Sequence, residues 1–293
     1  GCRNVVMIGL EPPGTLPEMT TVLQQHPDKF FQKMREALTH ILTLSFFRTK
    51  SMKEDLFGKD VPEINGTLAL ILFMMSRAEY SISNIERVQL DVDGQVVPWT
   101  GVFPEIPEVV PESSKQVSQK NISQKRARKS RKRIPYEGLR YTYTALGDSH
   151  PRTLTYFSCN LADGAYRDFD GITRRPDLQK FLKGLTISAT YIKAASYLMH
   201  ESGFSWIRTL ILEHSPQILQ DDSGIPVSFF DEKKWILTLY GFYDVPIQLF
   251  IKYTQEELAR RYANRKSVKP LPFGIGYKVY PGRSNLQLAV RRR

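Results

Sequence analysis

The side chains with most chemical reach in this 293-residue chain are the adjacent aspartates Asp221 and Asp222, a histidine seven residues before them, His214, and Glu11 near the start. Two carboxylates can hold a cation or act as an acid/base pair. Neighbours on a strand point to opposite faces, so only a turn lets Asp221 and Asp222 converge. The phrase QDDSG supplies turn residues, and a plain turn between two strands of a hairpin is the simpler reading. His214 closes a helical pattern in which Ile207, Leu210 and Ile211 repeat at three-to-four spacing, which predicts an inward imidazole just before Pro216. The helix C-terminus favours its charged form and burial opposes it. Glu11 follows NVVMIGL, the pattern of a buried strand, and ligands of parallel sheets lie beyond the carboxyl ends of strands. Pro12 and Pro13 more simply end that strand. Brought together, His214 with Asp221, Asp222 or Glu11 would make a hydrolase.

A second candidate is a stripe on residues 191–200, read as a helix. Lys193, Ser196 and His200 fall within about 60° on a helical wheel, with Ile192, Ala195, Leu198 and Met199 opposite. His200 could then serve as base to Ser196, although any surface helix shows such a polar stripe. Phosphate loops, HExxH and the calcium loop are absent from the sequence, so no cofactor and no metal are expected. The two cysteines, Cys2 and Cys159, exclude a disulfide framework and allow at most one bridge.

The formal net charge is +11, yet nine basic residues lie in residues 115–133, which contain no Asp or Glu; without them +2 remains. The core of the run, Lys125, Arg126, Arg128, Lys129, Arg131, Lys132 and Arg133, could bind an anionic polymer or lipid headgroups, with steep salt dependence. It lacks aromatic residues for base stacking and Cys or His for a zinc module. A solvated linker is its plain reading.

These residues need a scaffold, and 41% hydrophobic residues over this length allow a sizeable core. The patterns predict strands near residues 4–10, 139–144, 153–159, 235–240 and 285–290, and a hairpin over 85–97 turning at Asp93-Gly94. Helices are predicted near 28–46, 177–182, 204–214 and 255–263, and 68–75 reads as a helix buried all round. That eight-residue run is the longest apolar stretch, far short of the roughly 20 needed to span a bilayer, so no transmembrane segment is expected. The fold class is α/β or α+β: a mixed sheet with packed helices, one core interrupted by a long basic, proline-flanked insertion. Residues 1–97 and 136–293 would form the two parts of the core and 98–135 the insertion. Gly1-Cys2 resembles the end of a lipoprotein signal, but a strand starting at Asn4 leaves no tether; a removed segment upstream is expected. The Asn-x-Ser/Thr triplets at Asn65 and Asn121 matter only in a secretory eukaryotic setting.

The phrases GLEPPG, TYIKAASYLMH, ILQDDSGIPVSFF, KPLPFGIGY and SNLQLAV resemble a family of bacterial proteins of unknown activity. The resemblance spans most of the chain outside the basic run. It implies a bacterial origin and an exported or periplasmic address, and brings no catalytic residue. The resulting expectation is a non-enzymatic binding or structural role in the cell envelope, with the hydrolase and the anionic-polymer or lipid binder as alternatives.

Overall fold

Alternating apolar residues on two central strands organise the first of two compact units, made of residues 1–39, 49–160 and 164–184. The computed structural model describes residues 3–9, 13, 67–100, 137–163, 176–274 and 284–292. The first unit holds β1 (Asn4–Gly9), β2 (Ser81–Leu90), β3 (Val96–Pro98), β4 (Glu137–Thr144) and β5 (Arg152–Ser158), in the order β1-β5-β4-β2-β3. β1 runs parallel to β5 and the other pairs are antiparallel. Leu139, Tyr141 and Tyr143 of β4 share a face with Leu154 and Tyr156 of β5, as the two-residue period requires. That face buries Leu68, Ile71 and Met75 of α1 (Leu68–Arg77). On the opposite face Phe157 meets Phe181 of α2 (Pro176–Gly184) edge-on, with ring centroids 5.3 Å apart. Gly138 lies under Phe157; a Cβ there would come within 2.4 Å of the Tyr156 carbonyl oxygen.

Strands from both sides of the basic run therefore meet in one sheet. Two expectations need correction. α1 is not buried all round: Met74 is exposed, because one face of a helix this short suffices to cover β4 and β5. β1 is a half-exposed edge strand rather than a buried one, since among the described strands it pairs with β5 alone. The hairpin turning at Asp93-Gly94 is present, with Asp91 Oδ1 accepting from the Asp93 and Gln95 amides at 2.9 and 2.7 Å. The helix expected over 28–46 lies outside the described residues.

The second unit comprises residues 40–48, 161–163 and 185–293. Its sheet has the order β6-β7-β10-β8-β9, from β6 (Thr190–Ile192), β7 (Gln217–Gln220), β8 (Trp235–Gly241), β9 (Val268–Lys269) and β10 (Asn285–Arg291). β6 and β7 are parallel, β10 runs antiparallel to both β7 and β8, and β9 is parallel to β8. α3 (Ser205–His214) connects β6 to β7 and buries Ile207, Arg208, Leu210 and Ile211. Its amino end is capped by Asp163, whose carboxylate accepts from the Ser205 and Trp206 amides at 3.3 and 3.1 Å. α4 (Glu256–Ala263) places Leu258 and Tyr262 one turn apart against Val227, Leu239 and Tyr243. Gly241 has φ +81°, and a Cβ there would meet the Ser284 carbonyl oxygen, so this strand end requires glycine.

The single core expected from the sequence is thus two sheets. Residues 221–224 form a turn, with the Gly224 amide donating to the Asp221 carbonyl at 3.1 Å, but no hairpin follows. β7 pairs with β10, some 65 residues on in the chain, and the next strand, β8, lies on the far side of β10. Residues 191–200 are not an α-helix. They leave β6 and enter a kinked 3-10 segment, Ala195–His200, in which Ser196 and Tyr197 both adopt left-handed conformations (φ 57°).

Candidate functional site

β6, β7 and β8 all point their carboxyl ends to one edge of the second sheet, where β10 begins. This edge gathers Lys193 after β6, Asp221, Asp222 and Ser223 after β7, and Asn285 at the start of β10. The antiparallel register that places Gln220 opposite Gln287 brings Asp222 towards Asn285.

Asp221 faces Lys193. Its Oδ2 lies 2.6 Å from the Lys193 ammonium, and its Oδ1 accepts from the amide of Ser223 at 3.0 Å and from the Ser223 hydroxyl. Ser223 is 2% exposed, and its Oγ also accepts from Lys193 Nζ at 3.2 Å and from the Ala194 amide at 3.3 Å. The lysine therefore donates to the serine, the reverse of the hydrogen bond that a serine nucleophile needs from its base.

Asp222 turns the other way. Its Oδ2 accepts from the Tyr197 hydroxyl at 2.8 Å and its Oδ1 from Asn285 Nδ2 at 2.9 Å. Its main-chain carbonyl accepts from His200 Nε2 and Gln255 Nε2, both at 3.0 Å. Donation by Nε2 makes Nδ1 the lone-pair nitrogen of a neutral His200. Burial lowers the pKa of this half-buried imidazole, partly offset by its bond to Asp222. Burial and the Asp222 carboxylate raise that of the Tyr197 hydroxyl far above its usual value, keeping it a donor.

Aromatic packing holds these groups in place. Tyr197 stacks on Tyr253 with centroids 5.2 Å apart and planes 8° from parallel, meets His200 edge-on at 5.2 Å, and touches Phe250 at 5.4 Å. The Tyr253 hydroxyl bonds Glu201, and this bond, aided by Lys252, holds the Glu201 carboxyl below its usual pKa. The buried Arg208 guanidinium ties down the end of the segment, donating to the Met199 and Glu201 carbonyls at 2.8 and 3.2 Å. Two successive left-handed residues other than glycine cost about 1–2 kcal/mol each. They turn the Tyr197 side chain back towards Asp222, and the hydroxyl bond and ring contacts offset that cost.

Below Asp222 and Asn285 the polar row continues inward. Gln220 and Gln287, directly opposite each other on β7 and β10, are both buried. Gln220 is satisfied by the amide and carbonyl of Ile225, at 2.9 and 2.7 Å. Gln287 Oε1 and Nε2 and Asn285 Oδ1 have no partner among the described residues.

Of the residues expected from sequence, the structure brings Asp221 and Asp222 to this edge and leaves His214 away from it. His214 ends α3 ahead of β7, whereas the aspartates follow β7, so the length of the strand separates them. It is also exposed rather than inward, because Ser215, the residue just past α3, is the one buried there. The Ser215 hydroxyl bonds the Gln217 carbonyl at 2.7 Å and Thr190 Oγ1 at 2.8 Å. The Lys193-Ser196-His200 stripe dissolves with its helix: Ser196 is exposed, while Lys193 and His200 go to different carbonyl and carboxylate partners. Glu11 and the basic residues Lys125, Arg126, Arg128, Lys129, Arg131, Lys132 and Arg133 lie outside the described residues, as does Cys2; Cys159 is buried. Tyr197, Gln255 and Asn285 were missed. The turn chemistry of DDSG was readable, but nothing local marks the three residues that complete it.

Among the described residues, no three His, Cys, Asp or Glu side chains gather as metal ligands, and no helix is long and apolar enough to cross a membrane. Comparison with protein-family models, with curated proteins and with solved structures finds no match to this chain.

Proposed function

We propose that this chain is a non-enzymatic binding or structural protein of a bacterial cell envelope. One observation carries the non-enzymatic part. All four carboxylate oxygens of Asp221 and Asp222 accept from protein donors: Ser223, Lys193, Asn285 and Tyr197. A general base must come within reach of the proton it removes, and both carboxylates are buried, less than a tenth exposed, and held by bonds that fix a turn. The envelope part rests on the family resemblance and on the basic run, whose nine positive charges without an acidic residue suit an anionic surface.

The hydrolase alternative would need His200 in place of His214, with its Nδ1 as base. Turnover assays on ester, phosphoester, glycoside and peptide substrates separate the two readings. Wild type and Asp222→Asn should both give background rates. Turnover by wild type that disappears in a folded Asp222→Asn variant would overturn the non-enzymatic reading.

A further inference from the structure

We infer that the segment between β8 and α4 docks on an anionic lipid bilayer, with the aliphatic side chains of Leu249 and Ile251 entering the headgroup boundary. The inference rests on the envelope reading and deepens it by naming the lipid partner. The segment, DVPIQLFIKY from Asp244 to Tyr253, ends in a kinked 3-10 stretch, Gln248–Tyr253. Its inward side chains, Phe250 and Tyr253, pack on the Tyr197 ring at 5.4 and 5.2 Å, and Tyr253 also bonds Glu201. The stretch is therefore anchored from below by aromatic contacts.

Its outward side is apolar where a solvated segment would be polar. Leu249 is 75% exposed, Ile251 41%, Val245 48% and Ile247 38%. Four exposed aliphatic residues within seven positions of the chain exceed the single scattered apolar residues that need no explanation. Beside them the Lys252 side chain is 68% exposed; its ammonium lies 3.2 Å from Glu201 and 4.5 Å above the Tyr253 ring. Aliphatic tips flanked by a long basic side chain are the pattern of a segment lying in a membrane interface.

Two observations select lipid over a second copy of the chain. Four partly exposed aliphatic side chains can bury roughly a few hundred Å² at most, well short of the about 800 Å² per partner of a stable protein interface. A bilayer needs no such area, because shallow insertion adds to charge attraction. The charge is also of the right sign: residues 185–293 carry fifteen Lys and Arg against nine Asp and Glu.

The test is co-sedimentation of the full chain with vesicles of phosphatidylcholine containing phosphatidylglycerol, and with phosphatidylcholine alone. Leu249→Ser combined with Ile251→Ser changes two exposed positions, and an unchanged circular dichroism spectrum verifies folding. Wild type should bind the anionic vesicles, and the double variant should lose about tenfold or more in partitioning. An unchanged partition in the double variant, or no vesicle binding by wild type, overturns the inference. So does concentration-dependent dimerisation that the double variant abolishes. A third variant, Lys129→Gln, Arg131→Gln, Lys132→Gln and Arg133→Gln together, isolates the basic run. Binding lost there but retained in the double variant overturns docking by this segment while leaving the envelope reading intact. Turnover in the assays above would sink the non-enzymatic reading and leave the docking untouched.

Discussion

The central strands of the two sheets bury opposite kinds of surface. In the first unit, β4 and β5 present Leu139, Tyr141, Tyr143, Leu154 and Tyr156 to α1, an apolar contact that requires no particular partner atom. In the second unit, β7 and β10 bury the opposed pair Gln220 and Gln287, and Asp222 and Asn285 at the edge above. Apolar burial is non-directional and tolerates exchange of similar volumes. Polar burial demands a donor for each acceptor, and at this edge Tyr197, Lys193, Gln255, Ser223 and His200 supply the donors. The first sheet thus behaves as a scaffold, and the second positions side chains with specific partners.

Substitutions on each side can break or sharpen this contrast. Leu139→Ala removes a fully buried side chain from between α1 and β5 and should destabilise the first unit by about 3 kcal/mol, read by urea unfolding. A loss well under 1 kcal/mol would mean that this contact is not the unit's core. Gln287→Leu, at a position whose amide lacks partners among the described residues, should stabilise the second unit by about 1 kcal/mol. A comparable loss instead would show that the Gln287 amide is paired in solution and that the polar row reaches further than Asn285. The smallest effect concerns pH. Burial sets the folded pKa of His200 below its ordinary 6.5, so as pH falls below that value the unfolded chain takes up a proton that the folded chain resists. Stability is therefore full above 6.5 and declines as pH falls through the folded pKa. His200→Gln should flatten that part of the stability–pH curve relative to wild type; an unchanged slope would place the titration elsewhere.

The elements that sequence made legible are those with a strong local period. Val88 and Leu90 alternate into the turn at Asp93-Gly94, and β4, β5, β8 and β10 fall within about two residues of their expected ends. α2, α3 and α4 read equally well from their apolar spacing. The misreadings share a cause, which is that the deciding interaction is remote in sequence. Residues 191–200 carry a good helical stripe, yet Tyr197 is drawn to Asp222 and Tyr253, and the chain bends at Ser196 and Tyr197 with no Gly or Asn to announce it. DDSG looks like a hairpin turn because its sequence describes only the turn; that β10 and not β8 pairs with β7 is decided by packing of the whole sheet. His214 sits at the right angle on α3 but on its last turn, and Ser215, just past the helix, takes the buried place. The candidate site was accordingly half visible. Its two carboxylates stand in one phrase, and their donors are spread from Lys193 to Asn285.

The central claim is that Asp222 serves to hold Tyr197 and the turn in place. A double-mutant cycle tests it most directly, with unfolding free energies of wild type, Asp222→Ala, Tyr197→Phe and the double variant. The hydroxyl–carboxylate bond at 2.8 Å, buried on both sides, predicts a coupling energy of about 1.5 kcal/mol or more. Losses that simply add, with a coupling near zero, would contradict it and free the Asp222 carboxylate for another role.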